Sequence, residues 1–510
     1  MKNNDLSIRI YETNKTALLK NQSDLLGIFS DKEFNPFELV PAKNGMLTSQ
    51  IHGKFIHSRY DPLKESERFI EEQGLNEGDF VVLYGIGLGY HLRPILNQIG
   101  PEGFLYVIEL NQSLLKTALY CQDLSKELED PRVKIITGRY QEEVAQAFDH
   151  YICWGLDSIP DEKKKVIIHG MSLDLIPDEF SWIRNSLEII KLEKQGDSLF
   201  YEEMKNNLRN NLETVLSSPG IESLSPAFKD SPVIFAGAGP TLDQAAPLIR
   251  RVQQRAWIVC VDTAVIPLHE YGICPDLIIS VDPQQKSSDN FVSCENKMTP
   301  IIMLPTSASD VVQKVTGLKI MAVQKGSWVS DFFNHRLDFL GLTYGGGAVS
   351  VIGMDILLRL AKGPLLLAGM DFSFPRLKSY ANFSPEFNKW QSRTGPYFTL
   401  EMASIENVFS RKTVFVENFY QSHIPTFQTM YSYLRSLETI LQFYKRNDVY
   451  MLYPEGAKIK GVSPLFFEEE TDKLLSEPFS KLIRLENPHH PPELLSFCRE
   501  KIKSLTKTRS

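Results

Sequence analysis

The residues best placed to do chemistry lie between Val233 and Pro283. Gly237-Ala238-Gly239-Pro240 follows a short apolar run, and Thr241 opens an amphipathic helical pattern. Two such glycines let a backbone approach a phosphate, and the helix start behind them offers N–H groups to it. Asp262 and Thr263 end a second apolar run, Trp257–Val261; Asp282 ends a third, Leu277–Val281. Polar groups at the carboxyl ends of parallel strands line the ligand crevice of an open α/β sheet. There, Asp262 and Asp282 suit ribose hydroxyls or backbone amides, or Mg²⁺ if they converge, because that ion prefers hard oxygen ligands. A second glycine run, with Gly346 and Gly347, starts another helix, and Ser350 follows in its first turn. Two glycine-rich helix starts in one domain suit a ligand with both a phosphate and a nucleoside. Asp371 closes the strand Pro364–Ala368. The plainer use of all these polar residues is to cap helices.

The elements that position them alternate strand and helix, which predicts parallel sheets covered on both faces. Upstream, Phe80–Tyr84 runs into a second glycine loop, Gly85-Ile86-Gly87-Leu88-Gly89, and Phe104–Ile108 ends at Glu109. An acidic residue about twenty positions past such glycines can hold ribose hydroxyls in a Rossmann-type unit; an inherited fold with a filled pocket reads the same. Leu6, Ile8 and Ile10 alternate with polar residues, as a strand would. The division expected is an entry segment at 1–70, a Rossmann-like domain with a helical connector at 71–218, a central domain at 219–400 and a mostly helical region at 401–510. Ser217-Ser218-Pro219-Gly220 marks the second boundary. Residues 382–411 read as an irregular aromatic loop, a lid, an acceptor dock or a subdomain connector; as a dock it would have Trp390 and Arg393 as its anchors.

With 510 residues, 43% hydrophobic and 23% charged, the chain has the composition of a globular protein of several domains. A net charge of −8 argues against nucleic acid as partner. Six scattered cysteines lack zinc-site spacing, and no structural metal is expected from them. No apolar run approaches the roughly 20 residues of a membrane span, and a cytoplasmic location is the expectation. A homo-oligomer is compatible with all of this.

Three blocks add a resemblance. AGAGPTLD with VCVDTAVIPLHEYGICPDLIISVDP, then YGGGAVSVIGMDILLRLAKGPLLLAGMDFSF, then YPEGAKIKGV, resemble the motility-associated factor family of flagellin glycosyltransferases. HSRYDPLKESERFI and VVLYGIGLGYHL fit the same family's N-terminal part, so the likeness runs from about His57 to Val462. That family shares its central glycine-proline domain with archaeal pterin diphosphokinases. The Gly369-Met370-Asp371-Phe372 block also looks like bacterial sialyltransferases. The resemblance implies a sialyltransferase-like, doubly wound central domain. It implies an inverting transfer of a nonulosonic acid, pseudaminic or legionaminic in type, from a CMP-sugar to Ser or Thr of flagellin, with no cofactor required. On this reading Gly237, Gly239, Pro240, Thr241, Asp262, Thr263, Asp282, Gly346, Gly347 and Ser350 bind the donor, and Asp371 serves catalysis. Many relatives carry a histidine just beyond the GxDF block; here Tyr380 stands in that region, and His423 is the alternative base. The competing readings are an Mg²⁺-dependent diphosphokinase acting on a hydroxymethylpterin and a non-catalytic flagellin-binding protein.

Overall fold

The structure, a computed structural model, describes residues 2–25, 35–140, 143–144, 163–177, 180, 200–228, 230–292, 298–324, 327–343, 347–411, 413–475, 477–483, 485, 488 and 490–505. The chain divides into two compact units, Met1–Leu187 and Glu188–Ser510.

The first unit opens with helix α1 (Lys2–Asn21), where alternation at Leu6, Ile8 and Ile10 predicts a strand. Three residues are too short a window to separate the two periods. The positions that decide are Tyr11, Asn14, Ala17 and Leu18, buried at helical spacing. Asn14 ties this face down, donating to the carbonyls of Leu119 (2.9 Å) and Gln122 (2.7 Å). A three-stranded antiparallel sheet follows: β1 (Leu39–Pro41), β2 (Leu47–Ile51) and β3 (Lys54–Phe55). Helix α2 (Pro62–Glu71) starts at the Asp61-Pro62 pair. The Asp61 carboxylate accepts from the Lys64 N–H, and Pro62 needs no donor in the first turn. Then come β4 (Phe80–Tyr84), helix α3 (Leu92–Ile99), β5 (Phe104–Ile108), helix α4 (Gln112–Cys121), β6 (Val133–Ile136) and β7 (Lys164–Ile168). They form a parallel sheet in the order β6-β5-β4-β7, a Rossmann-like arrangement.

The second unit begins with helix α5 (200–217), whose Leu208, Leu212, Val215 and Leu216 belong to this unit's core. The helix ends at the predicted Ser-Ser-Pro-Gly break but packs forward, within the second unit. Next come β8 (Val233–Ala236), helix α6 (Leu242–Val252), β9 (Trp257–Val261), helix α7 (Val265–Glu270), β10 (Leu277–Ile279), β11 (Ile301–Met303) and β12 (Lys319–Met321). After the short pair β13 (Val323–Gln324) and β14 (Leu342–Thr343) come helix α8 (Val349–Leu360) and β15 (Leu365–Ala368). Helices α9 (Pro385–Gln391) and α10 (Leu400–Phe409) and the hairpin β16 (Thr413–Glu417)–β17 (His423–Phe427) follow. Helix α11 (Gln428–Tyr444), β18 (Val449–Leu452) and β19 (Ser463–Leu465) complete the sheet.

The main sheet has eight strands in the order β12-β11-β10-β9-β8-β15-β18-β19, with every neighbouring pair parallel. The chain winds outward from β8 in one direction and from β15 in the other. The switch point therefore falls between β8 and β15, and right-handed crossovers place helices on both faces. Two differences from the sequence reading stand out. The sheet takes β18 and β19 from beyond residue 400, so no structural break falls there. The aromatic stretch 382–411 is largely the helices α9 and α10, because Ser384-Pro385 and Thr399 supply helix starts: each hydroxyl accepts from a backbone N–H three residues on.

Candidate functional site

At the switch point, three distant segments lock together. The β8 turn meets the β15 turn edge to edge: the N–H of Gly237 donates to Ala368 (2.8 Å), and that of Gly239 to Gly369 (2.8 Å). The Asp371 carboxylate then sits on the first turn of α6. One oxygen accepts from the Thr241 N–H (2.9 Å) and the other from the Thr241 hydroxyl (2.6 Å). Thr241 thus gives its hydroxyl to Asp371 and caps nothing with it. The third segment closes from behind: the Ala457 N–H donates to the Asp371 carbonyl (2.8 Å), and a Cβ at Gly456 would lie 2.7 Å from the Asp371 Cα.

This explains the glycines differently from the sequence. A Cβ on Gly237 would come within 2.5 Å of the Gly369 carbonyl oxygen, and one on Gly239 within 2.3 Å of Asp371 Oδ2. The close approach that requires glycine is made by the protein's own β15 turn. The N–H groups of Gly237, Gly239, Thr241, Leu242 and Asp243 all have acceptors within the chain. Pro240 is buried beside them. This helix start presents an internal carboxylate where the sequence reading places a phosphate. Asp371 is 3% exposed, and burial raises its pKa to about 6.

Asp262 and Asp282 end the adjacent strands β9 and β10. Asp262 is buried, accepting from the Ser280 hydroxyl (2.8 Å) and the Thr263 N–H (2.8 Å). Burial, with the nearby charge of Asp282, raises it to about 6. Asp282 accepts from the Gln284 N–H (2.8 Å), and burial raises its pKa too. The two carboxylates are close enough to feel each other, and Thr263 lies half-buried beside them.

The other glycine-rich helix start is different. Ala348, the N-cap of α8, makes no side-chain cap, Gly347 is exposed, and Ser350 is half-buried in the first turn. Gly347 has φ +68° and packs against the Tyr433 ring of α11. Gly346 lies outside the described residues. Because α8 leads into a strand parallel to β8, its first turn lies at the same rim as the carboxyl ends of the strands.

Sequence reasoning missed a cluster beside the switch point. Asp243 accepts from the Tyr271 hydroxyl (2.8 Å), the Asn382 N–H (2.9 Å) and the Lys378 ammonium (2.6 Å). Burial, then Asp243, raises Tyr271 to about 12. Arg376 pairs with Glu455 at 2.6 Å. Phe372, Arg376, Leu377 and Phe383 all have positive φ, so the loop after β15 carries backbone strain at four positions. The one signal available beforehand was the density of polar residues after GMDF.

The remaining predicted residues are dispersed along this loop and its continuation. Tyr380 is half-buried, and burial raises its phenol. His423 is exposed at the start of β17, opposite Glu417. The hairpin is nonetheless tied to the crest: the Thr426 hydroxyl donates to the Phe372 carbonyl (2.7 Å), and the Phe374 N–H to the Pro425 carbonyl (2.9 Å). Arg393 stacks over Trp390 at 4.9 Å and pairs with Glu406 at 3.6 Å. Around them Tyr397, Met402, Ile405, Phe409 and Phe415 stand exposed.

In the first unit the glycine loop is filled as well. A Cβ on Gly87 would meet His57 Nε2 at 2.5 Å, and one on Gly85 would meet Ser172 at 2.4 Å. Glu109 is fully buried and accepts from the N–H groups of Ile86 (3.1 Å) and Asn111 (2.9 Å). Its carboxyl, raised to about 8 by burial, braces the loop and does not face a ribose.

Among the described residues, no helix is long and apolar enough to cross a membrane. Residues 206–376 match a family described as 6-hydroxymethylpterin diphosphokinase MptE-like. Residues 7–151 match the glycosyltransferase Maf N-terminal domain. A protein from Treponema pallidum (strain Nichols), described as uncharacterized, is 22% identical over 373 residues, 71% of this chain. The chain spans 63% of that relative's length. A solved Maf glycosyltransferase from Magnetospirillum magneticum AMB-1 matches 98% of this chain and 78% of its own, at 16% identity and a TM-score of 0.45. In chain order, then, this protein is similar to a glycosyltransferase Maf N-terminal domain over residues 7–151 and to an MptE-like domain over residues 206–376.

Proposed function

We propose that the second unit is a glycosyltransferase that moves a nonulosonic acid from a CMP-activated donor to a Ser or Thr hydroxyl of flagellin. The observation that carries the donor site is the contrast between two helix starts on one rim. That of α6 is occupied by Asp371, whereas that of α8 has no side-chain cap and begins at the exposed Gly347. The CMP phosphate binds at the first turn of α8, with the Ser350 hydroxyl donating to it. Asp262, Thr263 and Asp282 face the ribose. Asp371, with both oxygens engaged, positions the β8 and β15 turns and takes no proton from the acceptor.

In the reaction the acceptor oxygen attacks the anomeric carbon as its bond to the CMP phosphate breaks. CMP leaves with the electron pair, and direct displacement inverts the centre. His423, exposed on the hairpin, takes the hydroxyl proton. Tyr380, held protonated by burial, is suited to donate a hydrogen bond. Flagellin docks on the aromatic face of α9 and α10, where Trp390 and Arg393 anchor it. Large exposed apolar patches of this kind mark protein partners.

Thermal shift of the full chain tests the donor: CMP stabilises the wild type, and Ser350→Ala removes much of that shift. Pull-down tests the acceptor: Trp390→Ala weakens flagellin capture and leaves donor hydrolysis unchanged. Wild-type capture by that variant would sink the dock.

The MptE-like match and the neighbouring carboxylates Asp262 and Asp282 favour a second reading, diphosphoryl transfer from ATP to a pterin with Mg²⁺ on those two residues. Stabilisation by ATP with Mg²⁺ but not by CMP, and activity lost in EDTA, would establish it instead.

A further inference from the structure

We propose that His57, His91 and His169 of the first unit form a binding site for one divalent cation of the zinc class. The three residues come from separate segments: the stretch between β3 and α2, the end of the glycine loop, and the end of β7. Their rings meet as a triangle, with each pair of centroids 5.0 Å apart. One ring nitrogen from each lies within 4.8 Å of the others. All three residues are buried, at 2%, 1% and 7% exposure.

The surroundings are those of a ligand set. His57 Nδ1 faces the Glu65 carboxylate at 3.3 Å, and His169 Nδ1 faces the Ser172 hydroxyl at 2.8 Å. Such partners fix the tautomer of a ligating imidazole and turn its other nitrogen toward the metal. Neither nitrogen of His91 meets a hydrogen-bond partner among the described residues. A buried imidazole with both nitrogens unpaired is a cost to the fold unless something binds it. Three imidazoles suit Zn²⁺, Co²⁺ or Ni²⁺ far better than Mg²⁺ or Ca²⁺.

Loading has a structural consequence. His57 Nε2 accepts from the Leu88 N–H at 3.0 Å. An ion at about 2.0–2.1 Å from each nitrogen takes that lone pair and draws the rings together by on the order of 1 Å. The N–H it displaces belongs to the glycine loop, so occupancy is coupled to the conformation of residues 85–89.

The test uses the untagged full chain, freed of metal with a chelator and titrated with Co²⁺. The expected result is the visible absorption of tetrahedral cobalt at about one ion per chain, displaced by Zn²⁺. His91→Phe, which replaces an unpaired ring with an apolar one, should weaken cobalt binding by more than ~100-fold. Glu65→Gln, at an exposed side chain, should weaken it by about 10–100-fold through the orientation of His57 alone. If His91→Phe does not fold, Glu65→Gln decides. Absence of the cobalt band, or wild-type affinity in a folded variant, overturns the site.

Discussion

The two glycine loops of this chain follow the first strand of their sheets and read alike, yet they are filled by different chemistry. At residues 85–89 the occupants are Leu124, Ser172 and two imidazoles, with Glu109 beneath accepting backbone N–H groups. At residues 237–241 the occupant is a carboxylate, Asp371, with two bonds to Thr241. A carboxylate on a helix start satisfies the same dipole and donors that a phosphate would. The second loop therefore puts a phosphate-type cradle to structural use, whereas the first is filled by side chains of another kind. A glycine-rich loop shows that something comes close to the backbone; only its neighbours show what.

The sharpest way to break this comparison is Gly239→Val. If Asp371 fills the cradle, the new side chain collides with it and with the Gly369 carbonyl. We expect a loss of more than ~3 kcal/mol and failure of the second unit to fold. A soluble variant with unchanged melting would show that the cradle is open. Asp371→Ala comes next. It leaves the Thr241 N–H and hydroxyl unpaired in a buried place, a cost of about 2–4 kcal/mol. Asp371→Asn keeps one acceptor and should lose about half of that in a denaturant melt.

A pH series separates the loops more gently. Burial raises Glu109 to about 8 and Asp371 and Asp262 to about 6. Each then binds a proton more readily folded than unfolded, so stability is greatest below the unfolded value, near about 4. It falls as pH rises toward the folded value: from about 4 to 8 in the first unit, and from about 4 to 6 in the second. Separate melting transitions for the two units should show those windows, and Glu109→Gln should flatten only the wider one. Equal slopes in wild type and variant would contradict the burial of Glu109. The smallest effect belongs to Ser350→Ala. It should weaken CMP by about fivefold, roughly one hydrogen bond, with stability unchanged to within about 0.5 kcal/mol. No change in CMP affinity would move the donor away from α8.

Much of the fold was legible because its strands are short, buried and bounded by turns. Phe80–Tyr84, Phe104–Ile108, Val233–Ala236 and Trp257–Val261 are strands at the predicted residues. The N-terminal helix was not, since its buried face begins at Tyr11, beyond the alternating triplet. The site was legible as residues but not as contacts. Gly239 and Asp371 were both singled out, but nothing in the spacing says that one fills the other across 132 residues. Asp243 looked like an ordinary first-turn acid of a helix; its partner Tyr271 comes from the end of α7, and Lys378 and Asn382 are set by the chain's return after β15.

The order in which the knot is tied also matters during synthesis. Strands β8 to β12 are translated and can pair among themselves first. The first turn of α6 then waits for Asp371, and the Asp371 carbonyl waits for Ala457. Between them the ribosome must deliver the whole aromatic insertion, α9 through β17, with its exposed apolar side chains. A nascent chain stalled in that interval displays a half-built sheet edge at β15 together with an aromatic surface, the combination that recruits chaperones or aggregates. Early truncations of this protein should therefore be insoluble until the chain reaches past Leu465, where β19 completes the sheet beyond β18.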